Sequence, residues 1–435
     1  MQVQRNQMKQ LRLFVGKELV TDVQPQGAIW CGVRTAAMEV YSDWLCSSTT
    51  LERSSDCARA PSGWYCALVL SDTAIEGLSL DRSRDGIVFW YYLGMMNIMV
   101  DSLMAVVNSW RRESEGGVAD VNIDEYIRSF SGDVISRACF GTNYAKGEEI
   151  FLKLRALQEH MSKKDFIQWH SWNEGLFVLQ SIRYLPTKSN RETWKLEKDV
   201  RALILKVAKE RKEATSGNYD LLHMILEAAT NSGFSQHETD RFIVDNCKNI
   251  YLAGYETTAV SATWTLMLLA SKPEWQARVR AEVVEVCGGQ MSDADTLTMV
   301  IHESLRLYPP VPVVSREALE DLKFGDIQAP KGVDVWTLMV TLHQDLDIWG
   351  PDASEFNPES NGASGACKLP YVYMPFGVGP RTCLGQNFAM AELKILLALI
   401  ISNFSFSMSP KYRHSPAMRL VIEPENGVDL LIKRL

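Results

Sequence analysis

The run Phe376-Gly377-Val378-Gly379-Pro380-Arg381-Thr382-Cys383-Leu384-Gly385 sets one thiol in a glycine-rich loop just ahead of an apolar helical stretch. A helix N-terminus carries partial positive charge and unpaired N–H groups, and both favour a thiolate over a thiol. Gly377, Gly379 and Gly385 leave the backbone bare, so a large flat group can lie against it. Arg381 can reach an anion beside the sulfur. A lone cysteine on a turn is ordinarily buried and inert; the spacing of phenylalanine, glycines, arginine and cysteine sets this one apart.

Two further stretches carry candidate chemistry. Ala253-Gly254-Tyr255-Glu256-Thr257-Thr258 lies inside a long helical pattern, where a glycine and paired threonines lower helix stability. A threonine hydroxyl there can bond back to the carbonyl four residues earlier and open the helix locally. By itself the stretch also fits a threonine pair packed in a core beside a surface glutamate. Glu303-Ser304-Leu305-Arg306 puts opposite charges on one helical face. In isolation such a pair is usually solvated. Arg316, in Pro312-Val313-Val314-Ser315-Arg316, follows a proline turn and alone reads as an exposed cation.

The elements that must position these residues are mostly helices. Asp240 to Ser271 contains no proline and predicts one long, largely buried helix, stopped before Pro273. A second helix runs from Glu274 to Val286, with Pro273 near its first turn and Gly288-Gly289 ending it. A third runs from Asp295 to Leu307 and stops at Pro309-Pro310. A fourth follows Cys383 through Ser402. Strand-like pieces lie between the third and fourth, among them Val333 to Leu342. The fold class is mainly α with small β-sheets.

Composition narrows the partners. The chain has 435 residues, 46% of them hydrophobic, enough for a sizeable core. A net charge of -8 argues against nucleic acid as a partner. Nine cysteines without a C-x-x-C pair suggest neither a disulfide framework nor a zinc site. The first residues hold no long apolar run, so no secretory signal and no membrane anchor are expected there. The apolar stretch Ile87 to Val100 is short for a membrane span and carries Asn97, which favours a core helix. Residues 1–85 hold no sustained period and are expected to form a divergent N-terminal segment, and residues 86–435 one domain.

Residues 376–385 match F-x-x-G-x-R-x-C-x-G, and the chain thereby resembles the cytochrome P-450 superfamily of haem-thiolate monooxygenases. The other stretches stand in the order that superfamily requires. The resemblance implies haem b with Cys383 as the iron ligand, and a cofactor-binding set of Phe376, Gly377, Gly379, Arg381 and Gly385. It implies an oxygen groove at Ala253 and Gly254, with Thr257 and Glu256 as catalytic residues that steer protons. Glu303 and Arg306 would form the structural ion pair behind the haem, and Arg316 would bind a propionate. The implied partners are O₂, a small apolar substrate and an NADPH-dependent reductase, at the cytosolic face of the endoplasmic reticulum membrane. The segments Ser129 to Phe151, Asn246 to Ser271 and Tyr373 to Lys394 are similar to the plant microsomal branch that oxidises gibberellin-type diterpenoids.

The sequence departs from the family in four places. The family's anchor helix and first elements have no counterpart in residues 1–85. W-x-x-x-R occurs only as Trp30 to Arg34, in the wrong surroundings. The link after Gly288 is short. Ser360 stands where the family has an arginine that completes a buried network with Glu303 and Arg306, and no arginine lies between Arg316 and Arg381. Losing one member of such a network costs about 3–5 kcal/mol, so a haem-binding or misfolding remnant without turnover competes with an active monooxygenase. A hydroperoxide-rearranging relative is disfavoured by Glu256-Thr257, which such enzymes tend to lack.

Overall fold

The computed structural model describes residues 82–140, 149–157, 186–213, 221–287, 295–361 and 372–435. Most of the divergent segment, Trp30 to Arg34 and the link after Gly288 lie outside them.

The described chain begins with α1 (Arg82–Glu113), β1 (Val118–Asn122) and α2 (Asp124–Phe140), followed by a short helix α3 over residues 149–157. Helices α4 (Lys188–Glu213) and α5 (Leu221–Asn231) lead into α6 (Gln236–Ser271), then α7 (Pro273–Cys287) and α8 (Thr296–Leu307). Short elements follow: β2 (Val313–Glu317), β3 (Leu322–Phe324), β4 (Ile327–Ala329), β5 (Asp334–Leu338), α9 (Met339–His343), α10 (Leu346–Trp349) and α11 (Pro358–Asn361). The described chain ends with α12 (Gln386–Asn403), β6 (Phe404–Met408), β7 (Pro416–Met418), β8 (Ile422–Pro424) and β9 (Asp429–Arg434).

Helix α6 is the axis of the fold. Its start lies four residues before the expected one, because Ser235 and Glu238 form a reciprocal cap: Glu238 N–H donates to Ser235 Oγ, and Ser235 N–H donates to the Glu238 carboxylate. From Ala259 to Ala270 every residue is buried, so this half is enclosed on all sides. It packs against α2, α12, α8 and α7, and its Trp264 indole N–H donates to Ile422 O at 2.7 Å. The Trp264 ring also stacks on Tyr308 with centroids 4.3 Å apart. Trp110 on α1 and Phe130 on α2 fill the same core, as do Leu396 and Ile400 on α12. Each such side chain, fully buried, contributes about 1.5–3 kcal/mol.

Helix α1 extends well beyond the apolar stretch that predicted it, and it buries Met96, Met99, Leu103 and Val107 in the core. No described helix is long and apolar enough to cross a membrane. The expected strand Val333 to Leu342 is half strand and half helix: β5 ends at Leu338, and a turn of helix carries Met339 and His343 into the interior. The largest sheet is antiparallel, in the order β1-β9-β6, with Leu430 and Ile432 of β9 buried from one face. Strand β2 pairs with β5, placing Arg316 opposite Val335.

Candidate active site

The loop ahead of α12 is closed by its own main chain. Cys383 N–H donates to Phe376 O at 2.7 Å, and Gly377 N–H donates to Met374 O at 2.9 Å. Gly377 and Gly379 both adopt positive φ, 71° and 70°, which side-chain-bearing residues rarely do. At Gly379 and Gly385 an added Cβ would meet nothing within 4 Å, so open space borders both. Cys383 lies two residues before Gly385, the N-cap of α12. Its thiol is exposed, whereas Cys247 is buried with a thiol pushed up to about 12 by that burial. Leu384 and Val378 beside it are 75% and 54% exposed. A sulfur donor bordered by uncovered aliphatic side chains and open backbone suits the face of a haem, so the donor set fits the implied cofactor. Arg381 is exposed on the same loop. Arg316 is exposed on β2 and donates to Ser315 O at 2.8 Å.

The small-residue window on α6 has the expected back-bond. Thr257 Oγ1 donates to Ala253 O at 2.6 Å, and the helix runs through without a break. Ala253 is exposed although its helix is otherwise largely buried. Gly254 also serves the packing of helices. A Cβ there would sit 2.5 Å from Cδ1 of Ile135, so the missing side chain lets α2 approach α6. Ser131 Oγ donates to Gly254 O at 3.2 Å across the same contact.

Glu256 is buried and ion-paired with Arg128 of α2. Arg128 Nη2 also reaches Glu423 of β8 at 2.6 Å, and Glu423 in turn pairs with Arg419 and lies 3.6 Å from Arg155. Burial opposes the charge on Arg128, but the carboxylates of Glu256 and Glu423 outweigh it and hold its pKa raised. Oε1 of Glu256 has no hydrogen-bond partner. The glutamate expected in a proton relay is therefore held by an arginine that sequence reading did not single out.

Glu303 and Arg306 are fully enclosed. Arg306 donates from Nε and Nη2 to the two carboxylate oxygens, each at 2.8 Å. It also donates to the carbonyls of His343 (2.8 Å), Ala353 (2.6 Å) and Glu355 (3.2 Å). All its N–H donors are thus used. Asn357 N–H adds a bond to Glu303 at 2.9 Å. Arg306 is saturated by Glu303 and main chain without a second arginine, so the loss expected from Ser360 does not fall on Arg306.

Two histidines flank this pair. Tyr373 hydroxyl lies 2.8 Å from His302 Nδ1 and donates to His302 O at 3.0 Å. Met374 N–H donates to His343 Nε2 at 3.2 Å. Burial and the nearby Arg306 push His343 down to about 4, so it is neutral and its Nε2 accepts. On α12, Glu392 is also enclosed, and burial pushes it up to about 8 against a hydrogen bond from Ser131. That residue was visible in the sequence as a charge inside the apolar run Ala391 to Ile401; the two histidines gave no such signal.

An enclosed central helix with an exposed small-residue window and a glycine-rich cysteine loop are the features that the resemblance to haem-thiolate proteins implied. The comparisons agree. Residues 88–431 match the family described as Cytochrome P450, and the chain belongs to that family. It is 49% identical over 354 residues to Cytochrome P450 714C2 of Oryza sativa subsp. japonica, covering 79% of this chain and 66% of the relative. Cytochrome P450 714A2 of Arabidopsis thaliana is 42% identical over 354 residues, covering 77% and 66%. The chain spans 63–66% of the length of the first three relatives it matches. Among solved structures, the cytochrome P450DA heme domain aligns with TM-score 0.63 and 25% identity, covering 79% of this chain and 73% of that one.

Proposed function

We propose that the protein is a haem-dependent monooxygenase. One atom of O₂ enters a C–H bond of an apolar substrate. The other leaves as water, with two protons and with two electrons drawn from NADPH through a reductase. The observation that carries this reading is the exposed Cys383 thiol in a self-closed glycine loop ahead of α12. Haem bound there supplies the oxygen chemistry. Cys383 would hold the haem iron through its thiolate, and Arg381 and Arg316 would meet the negative charge of the haem's carboxylates. The Thr257 hydroxyl is spent as a donor on Ala253 O, which leaves its lone pairs to accept a hydrogen bond at Oγ1; it passes a proton on only by giving up that back-bond. Glu256 delivers protons to that point only by leaving Arg128.

The substrate class we infer is a diterpenoid of gibberellin type, supported by the similarity of Asn246 to Ser271 and Tyr373 to Lys394 to that plant branch. The same branch suggests the cytosolic face of the endoplasmic reticulum membrane, beside the reductase. A haem protein without turnover is the second reading; the buried Glu256–Arg128 pair favours it.

Purified full-length protein, reduced and exposed to carbon monoxide, is expected to give the red-shifted Soret band of a thiolate-ligated complex. Incubation with NADPH, a reductase and labelled diterpenoid acids then tests turnover. NADPH consumption with no oxygenated product from any such acid would leave the monooxygenase class standing and remove the substrate class. A carbonyl band without thiolate character would remove both.

A further inference from the structure

We propose that His343 is a positioning residue through which the buried Glu303–Arg306 pair fixes the loop that carries Cys383, with His302 as a second tie on the neighbouring residue.

An unbroken path of hydrogen bonds joins the two sites. Arg306, locked by both oxygens of Glu303, donates from Nη1 to His343 O at 2.8 Å and so fixes the main chain of that histidine. The His343 ring then accepts Met374 N–H at Nε2, 3.2 Å away. Met374 O accepts Gly377 N–H at 2.9 Å, and Phe376 O accepts Cys383 N–H at 2.7 Å. One residue earlier, the Tyr373 hydroxyl is held by both the ring and the carbonyl of His302. With Nε2 of His343 accepting, its proton sits on Nδ1, a buried atom without a hydrogen-bond partner. With Tyr373 donating to His302 O, Nδ1–H of His302 donates to the tyrosine oxygen.

Burial makes the tie specific. His343 is fully enclosed, so no water replaces its ring nitrogen if the ring is changed. Adjacent residues at the base of the loop are therefore clipped by histidines from different elements, one on α8 and one on α9. Beyond the clip the loop is exposed from Val378 to Gly379 and from Arg381 to Gly385, held by bonds within itself, including Thr382 Oγ1 donating to Gly379 O at 2.8 Å. The position of Cys383 is consequently set at Tyr373 and Met374. In this chain, with serine at position 360, that role falls on the histidines rather than on a further arginine.

The test compares full-length wild type with His343→Phe, which keeps a ring but no acceptor, and His343→Gln, which places an oxygen near the position of Nε2. One readout is the ratio of thiolate-ligated to unligated carbonyl complex, which rests on the haem-thiolate reading. The other is the rate at which the Cys383 thiol of haem-free protein reacts with an aromatic disulfide, after subtraction of Cys383→Ala. One lost buried hydrogen bond is expected to lower the ratio about fivefold and raise the thiol rate similarly in His343→Phe. His343→Gln is expected to restore most of both. A folded His343→Phe with wild-type values, or a His343→Gln as impaired as His343→Phe, overturns the proposal. Should His343→Phe not fold, Tyr373→Phe decides: a lowered ratio supports the clip, and a wild-type ratio overturns it. If wild type itself shows no thiolate band, the haem-thiolate reading fails, and the thiol rates alone judge His343.

Discussion

Arg128 of α2 and Glu256 of α6 form an ion pair inside the helical core, and Arg128 holds Glu423 of β8 with its other nitrogen. One guanidinium thus joins a helix near the start of the described chain, the centre of the longest helix and a strand near its end. Replacing Arg128 by methionine leaves the enclosed Glu256 carboxylate uncompensated and Glu423 to Arg419 and Arg155, and the expected loss is about 3–5 kcal/mol. The double change Arg128→Met, Glu256→Gln is expected to recover part of it. Urea unfolding followed by circular dichroism measures both; an Arg128→Met protein as stable as wild type would contradict the burial of the pair.

Gly254 makes an equally sharp prediction. Alanine there drives a methyl group to 2.5 Å from Ile135 Cδ1, and overpacking of this kind costs about 1–3 kcal/mol. Shortening the neighbour with Ile135→Ala in the Gly254→Ala background is expected to return part of the stability, although each change alone destabilises. A thermal-denaturation cycle over the four proteins reads the coupling. Additive losses would mean that the two residues do not meet.

Arg306→Lys is expected to lose about 3–5 kcal/mol despite keeping the charge. The planar fork satisfies two carboxylate oxygens and three carbonyls at once, and an ammonium with three donors cannot. Denaturant midpoints provide the check.

Glu392 gives a pH dependence. Its folded pKa, about 8, lies above the ordinary glutamate value of about 4.3 in an unfolded chain. The folded state therefore keeps a proton that the unfolded state has released. Its contribution to stability is complete below about pH 4.3 and is lost as pH rises toward about 8, at no more than about 1.4 kcal/mol per unit. Glu392→Gln removes this dependence. The difference between the urea midpoints of wild type and variant is expected to grow in favour of the variant from mildly acidic pH to pH near 8; a constant difference would show that Glu392 is ionised throughout.

Cys383→Ala is expected to abolish the thiolate carbonyl spectrum. On the monooxygenase reading, Thr257→Ala keeps that spectrum but diverts oxygen to peroxide, measured as NADPH consumed per product formed. A Thr257→Ala protein with normal product yield would remove proton steering from Thr257.

The sequence displayed the parts of the site that lie close together in the chain. The cysteine loop, the threonine back-bond and the Glu303–Arg306 spacing are local patterns, and each occurs as its pattern required. What remained hidden joins residues distant in sequence. Ile135 against Gly254, Arg128 with Glu256 and His343 with Met374 arise from how helices and loops dock, and no local pattern encodes that. Gly254 shows the difficulty best. The family resemblance assigned it to an oxygen groove, and nothing in the local sequence says that its bareness also admits a neighbouring helix. The strand expected over Val333 to Leu342 was half right because its second half has the same apolar character whether extended or helical, and burial of Met339 and His343 selects the helix.

The β1-β9-β6 sheet has a consequence for biosynthesis. Its middle strand is translated after both of its neighbours, and Val118 of β1 pairs with Lys433 of β9. While the ribosome works, β1 and β6 have no partner in this sheet, and closing so long a loop is slow. Nascent chains of this protein thus depend on β9 to shield both edges, and a stop codon only a few residues upstream of Asp429 would leave each of them open to aggregation.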